Sequence, residues 1–473
     1  MTLELTEAEI DRYVKIWTEV LENLPPTNVN DLYKDHKDIV EALGDNTGQI
    51  FDAHEHLGIP ERSEAIKNLP KWLDEYEVEH SNVEVKEAEF GYGLFATKDI
   101  ALHEPAVKVP RKATISLEYG EEKTVIRKMH KNDDILKSMP NVTVAIILAE
   151  VLLSKDKRFL PYARALPSVH DTLIFMTTDQ LLQLKPSPTF EAALLMYRSV
   201  ARHYVYFLLR IVRDSVFDEK SKFVFKNCAL NSEKFTFNFY KWCVSNSSTR
   251  MNGVPRRQGT LQNQRPLPTL VPLIDFCNFM QEDENNVSQY YDFDTRTVQL
   301  RANRDIKAGE ELTLYYGHRS NSEFLLHNGL VPSTHNPHNY YELKTGFPIN
   351  KFVEEKCSYL QSMNMLPERG VYHFKLRRSQ LEYREPIDYS RLPIFTFCKV
   401  FVIDELQKVD ERETKEKARK FLVQRLQLYK ATYGELKEPG DGSRFDRYVY
   451  EIKKDEVDLL NKFIQKYEEL TFS

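Results

Sequence analysis

Cysteine is scarce and scattered. Cys228, Cys243, Cys277, Cys357 and Cys398 are the five in 473 residues, an odd number with no Cys-x-x-Cys pair. That argues against a disulfide framework and a thiolate zinc site, and for reduced thiols in the cytosol or nucleus; no metal ligands are expected. Positive charge is not in excess either. The net charge is −6 and no basic patch dominates, so nucleic acid is not an expected partner. Long apolar runs are missing. The longest, Val142 to Leu153, is interrupted by Thr143 and Glu150 and falls short of the roughly 20 residues that span a bilayer. Glu4, Glu7 and Glu9 stand where a signal peptide would carry a basic and then an apolar segment, so no leader is evident. There is no internal repeat and no low-complexity tract. The expected location is the cytoplasm, with the nucleus open as a second one.

What is present is an ordinary globular composition, 41% hydrophobic and 29% charged, long enough for about two to four domains. Thr6 and Glu9 form a capping-box pair ahead of Ile10, Tyr13, Val14, Trp17, Val20 and Leu21, which recur at helical spacing until Pro25-Pro26. A polar region follows. Ile66, Leu69, Trp72 and Leu73 then predict a helix with Arg62 near its start. Val83, Val85 and Phe90 to Ala96 read as short strands around glycine turns. From about Ile115 to Phe239 the pattern is helical, with Val142 to Leu153 apolar nearly all round, hence a buried helix, and a long amphipathic stretch from Phe190 to Ile211. A further helix at Tyr240, Cys243 and Val244 is expected to end before Ser247. Residues 251–268, with Arg256, Arg257 and Arg265 among glycines and prolines, read as a mobile basic loop. Tyr290 to Phe293 and Val298 to Arg301 flank a hairpin turn, and after about Pro337 the pattern is mainly helical again.

Two stretches organise the rest. Val271-Pro272-Leu273-Ile274-Asp275-Phe276-Cys277-Asn278-Phe279 is an apolar run that abruptly presents polar groups, and Glu310-Glu311-Leu312-Thr313-Leu314-Tyr315-Tyr316-Gly317 alternates into paired tyrosines. Apolar strands ending in a few polar groups are the walls of a small-molecule pocket. With Glu89-Phe90-Gly91-Tyr92-Gly93-Leu94-Phe95-Ala96, they resemble, in the correct order, the motifs of SET-domain protein methyltransferases. The longer likeness is to the subgroup of the Rubisco large-subunit methyltransferase, and within it to enzymes that methylate a histidine of actin.

The resemblance implies S-adenosylmethionine as cofactor and actin as protein substrate. It places Phe90, Gly91, Tyr92 and Gly93 at the methyl donor, where glycine lets backbone approach a ligand closely. A lone Gly-x-Gly is more often a plain turn. Asp275, Phe276, Cys277, Asn278 and Phe279 are implied beneath the cofactor, although Asp and Asn after a strand also cap turns. Phe279 stands where the family has histidine. Arg62 and Arg250 match positions near the cofactor carboxylate, which suits a guanidinium fork. Asn328-Gly329-Leu330 completes the implied cofactor wall, though the glycine also fits a helix C-cap. Tyr316 matches the catalytic position and Asn252 the residue that orients the acceptor; Ile274 and Arg319 match the substrate side. Presenting a neutral lysine at pH 7 costs about 4.6 kcal/mol from a reference pKa near 10.4, whereas histidine, near 6.5, is mostly neutral already. A histidine pocket therefore needs tautomer control more than a base; a carboxamide oxygen would supply it, the role that the resemblance implies for Asn252. Ile274 replaces the tryptophan of the histidine enzymes, which removes an aromatic wall and opens the lysine alternative.

The expected fold is α+β. Residues 1–75 form an N-terminal helical extension, 76–335 a β-rich SET core with a helical insertion at about 115–239, and 336–473 an all-helical substrate-binding domain. The expected function is histidine N-methylation of actin by a monomer that binds neither nucleic acid nor membrane. The alternatives are a lysine methyltransferase of the same fold and a non-catalytic peptide-binding protein.

Overall fold

The structure, a computed structural model, describes residues 2–45, 50–122, 124–212, 228–256, 266–333, 335–348, 353–382 and 387–472. Its centre is a seven-stranded sheet built from both flanks of a helical block. Its strands are β1 (Val83–Ala88), β2 (Gly91–Ala96), β3 (Pro105–Pro110), β7 (Asn278–Phe279), β8 (Val287–Asp292), β9 (Thr297–Ala302) and β10 (Glu311–Leu314). The order is β1-β2-β10-β8-β9-β3, with β7 also on β10. A smaller sheet places β6 (Leu267–Leu270) between β4 (Ile115–Ser116) and β5 (Met251–Val254). The hairpin read from Tyr290 to Arg301 is β8–β9, in register from Val287↔Ala302 to Asp292↔Thr297.

Helices pack around these sheets. The Thr6–Glu9 capping box opens α1 (Glu7–Ile16). The polar region after Pro26 holds an unexpected helix, α2 (Val29–Leu43), which buries Leu32, His36, Ile39, Ala42 and Leu43 on one face. Arg62 begins α3 (Arg62–Glu75), and Pro140–Leu153 is a buried helix, α4. The long amphipathic stretch is α5 (Pro188–Val212). The next helix, α6 (Phe237–Arg250), does not stop before Ser247. Ser247 Oγ donates to Cys243 O at 2.9 Å and Thr249 Oγ1 to Ser245 O at 2.8 Å, so these hydroxyls bond back along the helix instead of ending it. Met251–Val254 and Leu267–Leu270 of the expected basic loop are strands, paired Asn252↔Thr269, and Arg257 to Arg265 lie outside the described residues.

The expected all-helical C-terminal part also needs correction. Helix α7 (Asn321–Asn328) precedes this part, which holds α8 to α10 (Pro393–Phe401, Arg412–Ala431, Arg444–Glu468) together with a two-stranded hairpin, β11 (Tyr340–Thr345) with β12 (Tyr372–Arg377). Tyr372, Phe374 and Leu376 face inward and His373, Lys375 and Arg377 outward, the alternation that a half-buried strand requires. Phe445, Val449 and Ile452 of α10 pack with Phe190 and Leu194 of α5 and with Leu325 and Leu326 of α7. Asp455 accepts from Asn321, Asn339 and Arg378 at the same seam.

Glu456, one turn beyond Ile452, is fully buried there. It accepts from Ser187 Oγ and Tyr433 Oη, each at 2.8 Å. Burial pushes its carboxyl up from 4.5 to about 7. Its stabilising contribution is therefore whole below pH 4.5, declines as the unfolded chain ionises, and is lost once pH passes about 7. Glu456→Gln is expected to remove this decline, leaving the variant on the order of 2 kcal/mol less sensitive than the parent between acid and mildly alkaline pH. Denaturant midpoints at pH 4 and pH 8, which flank the interval from 4.5 to about 7, would check it.

Candidate active site

Strand β10 brings the motifs together. Glu311 and Leu312 pair antiparallel with Phe95 and Leu94 of β2, while Thr313 and Leu314 pair parallel with Asn278 and Phe279 of β7. The segment before β7 is not a continuous strand. Strand β6 ends at Leu270, Leu273 takes φ +66°, and Ile274–Phe276 forms a single 3-10 turn. Pro272 offers no N–H to a ladder, and Leu273, buried in the core, combines that φ with ψ −44°. This turn carries Ile274, Asp275 and Cys277 to the wall of a cavity of about 340 Å³.

Arg250, Asn252, Tyr316, Arg319 and Asn328 line the same cavity. Asn252 Nδ2 donates to Arg250 O at 3.1 Å, which uses the donor side of the carboxamide and turns its oxygen the other way. Tyr316 Oη donates to Cys277 O at 2.7 Å, and burial raises its pKa, so it remains a neutral phenol. Burial likewise raises the Cys277 thiol, which makes it a wall rather than a nucleophile. Phe279 packs edge-on to Phe324 and Tyr316, with centroids at 4.9 and 5.5 Å. The Arg319 guanidinium donates to Asn328 Oδ1.

The charged side of the site is built from two arginines. The Arg62 guanidinium lies 5.0 Å from the Tyr92 ring and 5.5 Å from that of Phe276, and Arg250 lies 5.9 Å from the same Phe276. Arg62 Nε donates to Ala165 O at 2.8 Å, and Arg250 to Asp275 O. Burial, then repulsion from Arg250, holds Arg62 below the usual arginine range. Arg62 Nη2 and Arg250 Nε are buried without a hydrogen-bond partner among the described residues. Two converging guanidiniums with unmet donors suit a carboxylate. The carboxylate of Asp275 accepts from Tyr162 Oη at 2.6 Å, and burial raises it against the opposing pull of Arg250.

Gly91 and Gly93 have different reasons to be glycine. Gly91 has φ +100°, which side chains resist. A Cβ on Gly93 would stand 2.4 Å from Glu311 Oε1, the atom that accepts from Asn278 Nδ2 at 2.6 Å. Gly93→Ala is expected to displace Glu311 and cost about 1–2 kcal/mol in urea unfolding. In a Glu311→Ala background the same change should cost less, with only the Ala88 Cβ at 3.1 Å left to give way, so a double-mutant cycle checks the coupling.

Not every expected residue joins this assembly. Phe90 sits on the β1–β2 turn, 59% exposed, with the Arg444 guanidinium 6.0 Å from its ring. Gly329 is the left-handed C-cap of α7, packed toward Thr172, and Leu330 follows it outside the cavity lining. Conversely, Ser248, Tyr315, Tyr162, Glu311 and His170 belong to the site or its support without having been singled out. Desolvation, then the nearby Arg250 charge, lowers His170 to about 3. Of these residues, only Glu311 and Tyr315, inside a quoted motif, carried any signal in the sequence.

The family model for the SET domain matches residues 91–317. Actin-histidine N-methyltransferase from Danio rerio is 31% identical over 286 residues, 60% of this chain and 45% of that one. The protein of the same name from Homo sapiens is 30% identical over 345 residues, 73% of this chain and 54% of that one. The chain thus spans about half the length of these curated relatives. Among solved structures, Rubisco LSMT bound to AdoMet superposes with a TM-score of 0.66 at 18% identity, covering 86% of this chain and 92% of that one. The SET domain of LSMT bound to lysine and AdoHcy gives 0.67, also at 18%, covering 87% and 92%. The match of residues 91–317 and the superposition on these structures show that the chain has a SET fold.

Proposed function

We propose that this chain is an S-adenosylmethionine-dependent protein-histidine N-methyltransferase acting on actin in the cytoplasm. The observation that carries the reading is one cavity shared by Asn252, Ile274 and Tyr316, with Arg250 on its wall and Arg62 behind Phe276. The names of the relatives supply the acceptor. The residues fit the cofactor, because its carboxylate would satisfy the unpartnered donors of Arg62 and Arg250. Asn278 and Glu311 with the flat face of Phe279 suit its nucleoside end. When bound, S-adenosylmethionine supplies an electrophilic methyl group on a sulfonium.

This chain's own residues then orient the acceptor. The Asn252 carboxamide oxygen accepts from one imidazole N–H and so leaves the other nitrogen's lone pair exposed. Ile274 and Cys277 exclude water, and the Tyr316 oxygen, fixed by its bond to Cys277 O, offers weak C–H···O contacts near the reacting carbon. A neutral imidazole needs no base to attack, and positioning supplies several kcal/mol of the barrier. The test is whole actin with labelled methyl donor, followed by mapping of the modified side chain. Absence of histidine methylation by a folded, cofactor-binding protein would overturn the reading. Lysine is the second reading, favoured by the aliphatic Ile274, and side-by-side lysine and histidine peptides separate the two.

A further inference from the structure

We propose that Glu282, His318 and His338 form a binding site for one transition-metal ion of the Zn²⁺ class, outside the cavity described above. Their donor atoms all lie within 4.8 Å of one another. Glu282 Oε2 stands 3.2 Å from His318 Nε2 and 3.5 Å from His338 Nε2. The second separation is beyond a charge-assisted hydrogen bond, which closes to about 2.7–2.9 Å. Both match the roughly 3.4 Å edge of a tetrahedron whose metal–ligand distances are about 2.0–2.1 Å. The imidazoles stack with centroids 3.9 Å apart and planes 15° from parallel. The in-plane lone pairs of stacked rings do not meet at one ion, so binding requires His318, whose side chain is 62% exposed, to turn out of the stack.

The three ligands come from separate stretches. Glu282 follows β7, His318 directly follows Gly317 with its φ of +97°, and His338 precedes β11. The Tyr315 ring, a cavity wall on its other side, lies 5.8 Å from His318 and 6.3 Å from His338. An ion here would tie three loops together behind the acceptor side of the active site. Asp283, Glu284 and His335 line the adjoining cleft of about 550 Å³ with Glu282 and His338, which adds negative potential. Two imidazoles and one carboxylate select Zn²⁺, Co²⁺, Ni²⁺ or Cu²⁺ over Mg²⁺ and Ca²⁺, and leave a fourth position for water. The scarcity of cysteine argues only against thiolate sites, and this one uses none.

Titrating Co²⁺ into the tag-free, chelator-treated full chain tests the site. Visible absorption bands saturating at one ion per chain are expected, bleached by added Zn²⁺. His318→Ala and His338→Ala should each weaken Co²⁺ binding at least tenfold, as should Glu282→Gln, with metal-free melting curves like the parent's. The side chains of Glu282 and His318 are about 60% exposed, so these changes should leave folding intact. Should one histidine variant misfold, Glu282→Gln decides alone. Absence of binding by the parent, or equal affinity in parent and variants, would overturn the proposal.

Discussion

Arg250→Ala is expected to weaken S-adenosylhomocysteine binding about a hundredfold by calorimetry, with the fold retained. Arg250 ends α6 at the cavity wall, and its guanidinium does two jobs. It donates to Asp275 O, holding the 3-10 turn that carries Ile274 and Cys277, and it keeps a buried Nε without a partner among the described residues. Truncating one member of a buried, hydrogen-bonded charge pair costs roughly 2–5 kcal/mol, and 2.7 kcal/mol is about a hundredfold. Arg62→Ala should cost less, because Arg62 stands outside the cavity lining, against the Phe276 ring, whereas Arg250 is part of the wall. Arg250→Lys should fall between parent and alanine variant, since an ammonium keeps the charge but not the fork. Affinity of Arg250→Ala within threefold of the parent would remove the carboxylate from this corner.

How much of this was legible in the sequence depends on the range of the interaction that decides it. The Thr6 capping box, the α3 periodicity beginning at Arg62 and the Tyr290–Arg301 hairpin are local, and each appears at its expected place. Helix α2 is masked by its polar exposed face: its apolar residues recur at helical spacing, but Asp, Lys and Glu fill the rest. The β11–β12 hairpin is obscured because 26 residues separate Thr345 from Tyr372, so no turn marks the pairing. Helix α6 outruns its serines because their hydroxyls bond back to carbonyls, a choice between conformations that composition leaves open. In the site, Arg250, Asn252, Ile274, Tyr316 and Arg319 are recognisable as residue types in motifs. That Glu311 fills the space over Gly93, or that Tyr162 holds Asp275, requires the register of β2 on β10 and the packing of distant helices. The Glu282–His318–His338 cluster is the extreme case, since nothing in its spacing distinguishes it from exposed polar residues.

Tyr316→Phe should reduce kcat for methyl transfer on the order of a hundredfold while leaving S-adenosylhomocysteine affinity within about threefold of the parent. The phenol is buried and neutral, and its one proton is engaged with Cys277 O at 2.7 Å. That bond fixes where the oxygen's remaining lone pairs stand, on the wall shared with Asn252 and Ile274. Phenylalanine keeps the ring and its packing on Phe279 but leaves the Cys277 carbonyl unpaired beside the reacting atoms. The stability loss should be only about 1 kcal/mol, the usual net value of one hydrogen bond. Catalysis should suffer more, because an oriented oxygen matters most where positive charge passes between donor and acceptor in a water-poor space. The split between kcat and cofactor affinity is the informative readout. A purely structural role would lower both together, and an unchanged kcat would remove Tyr316 from the chemistry altogether.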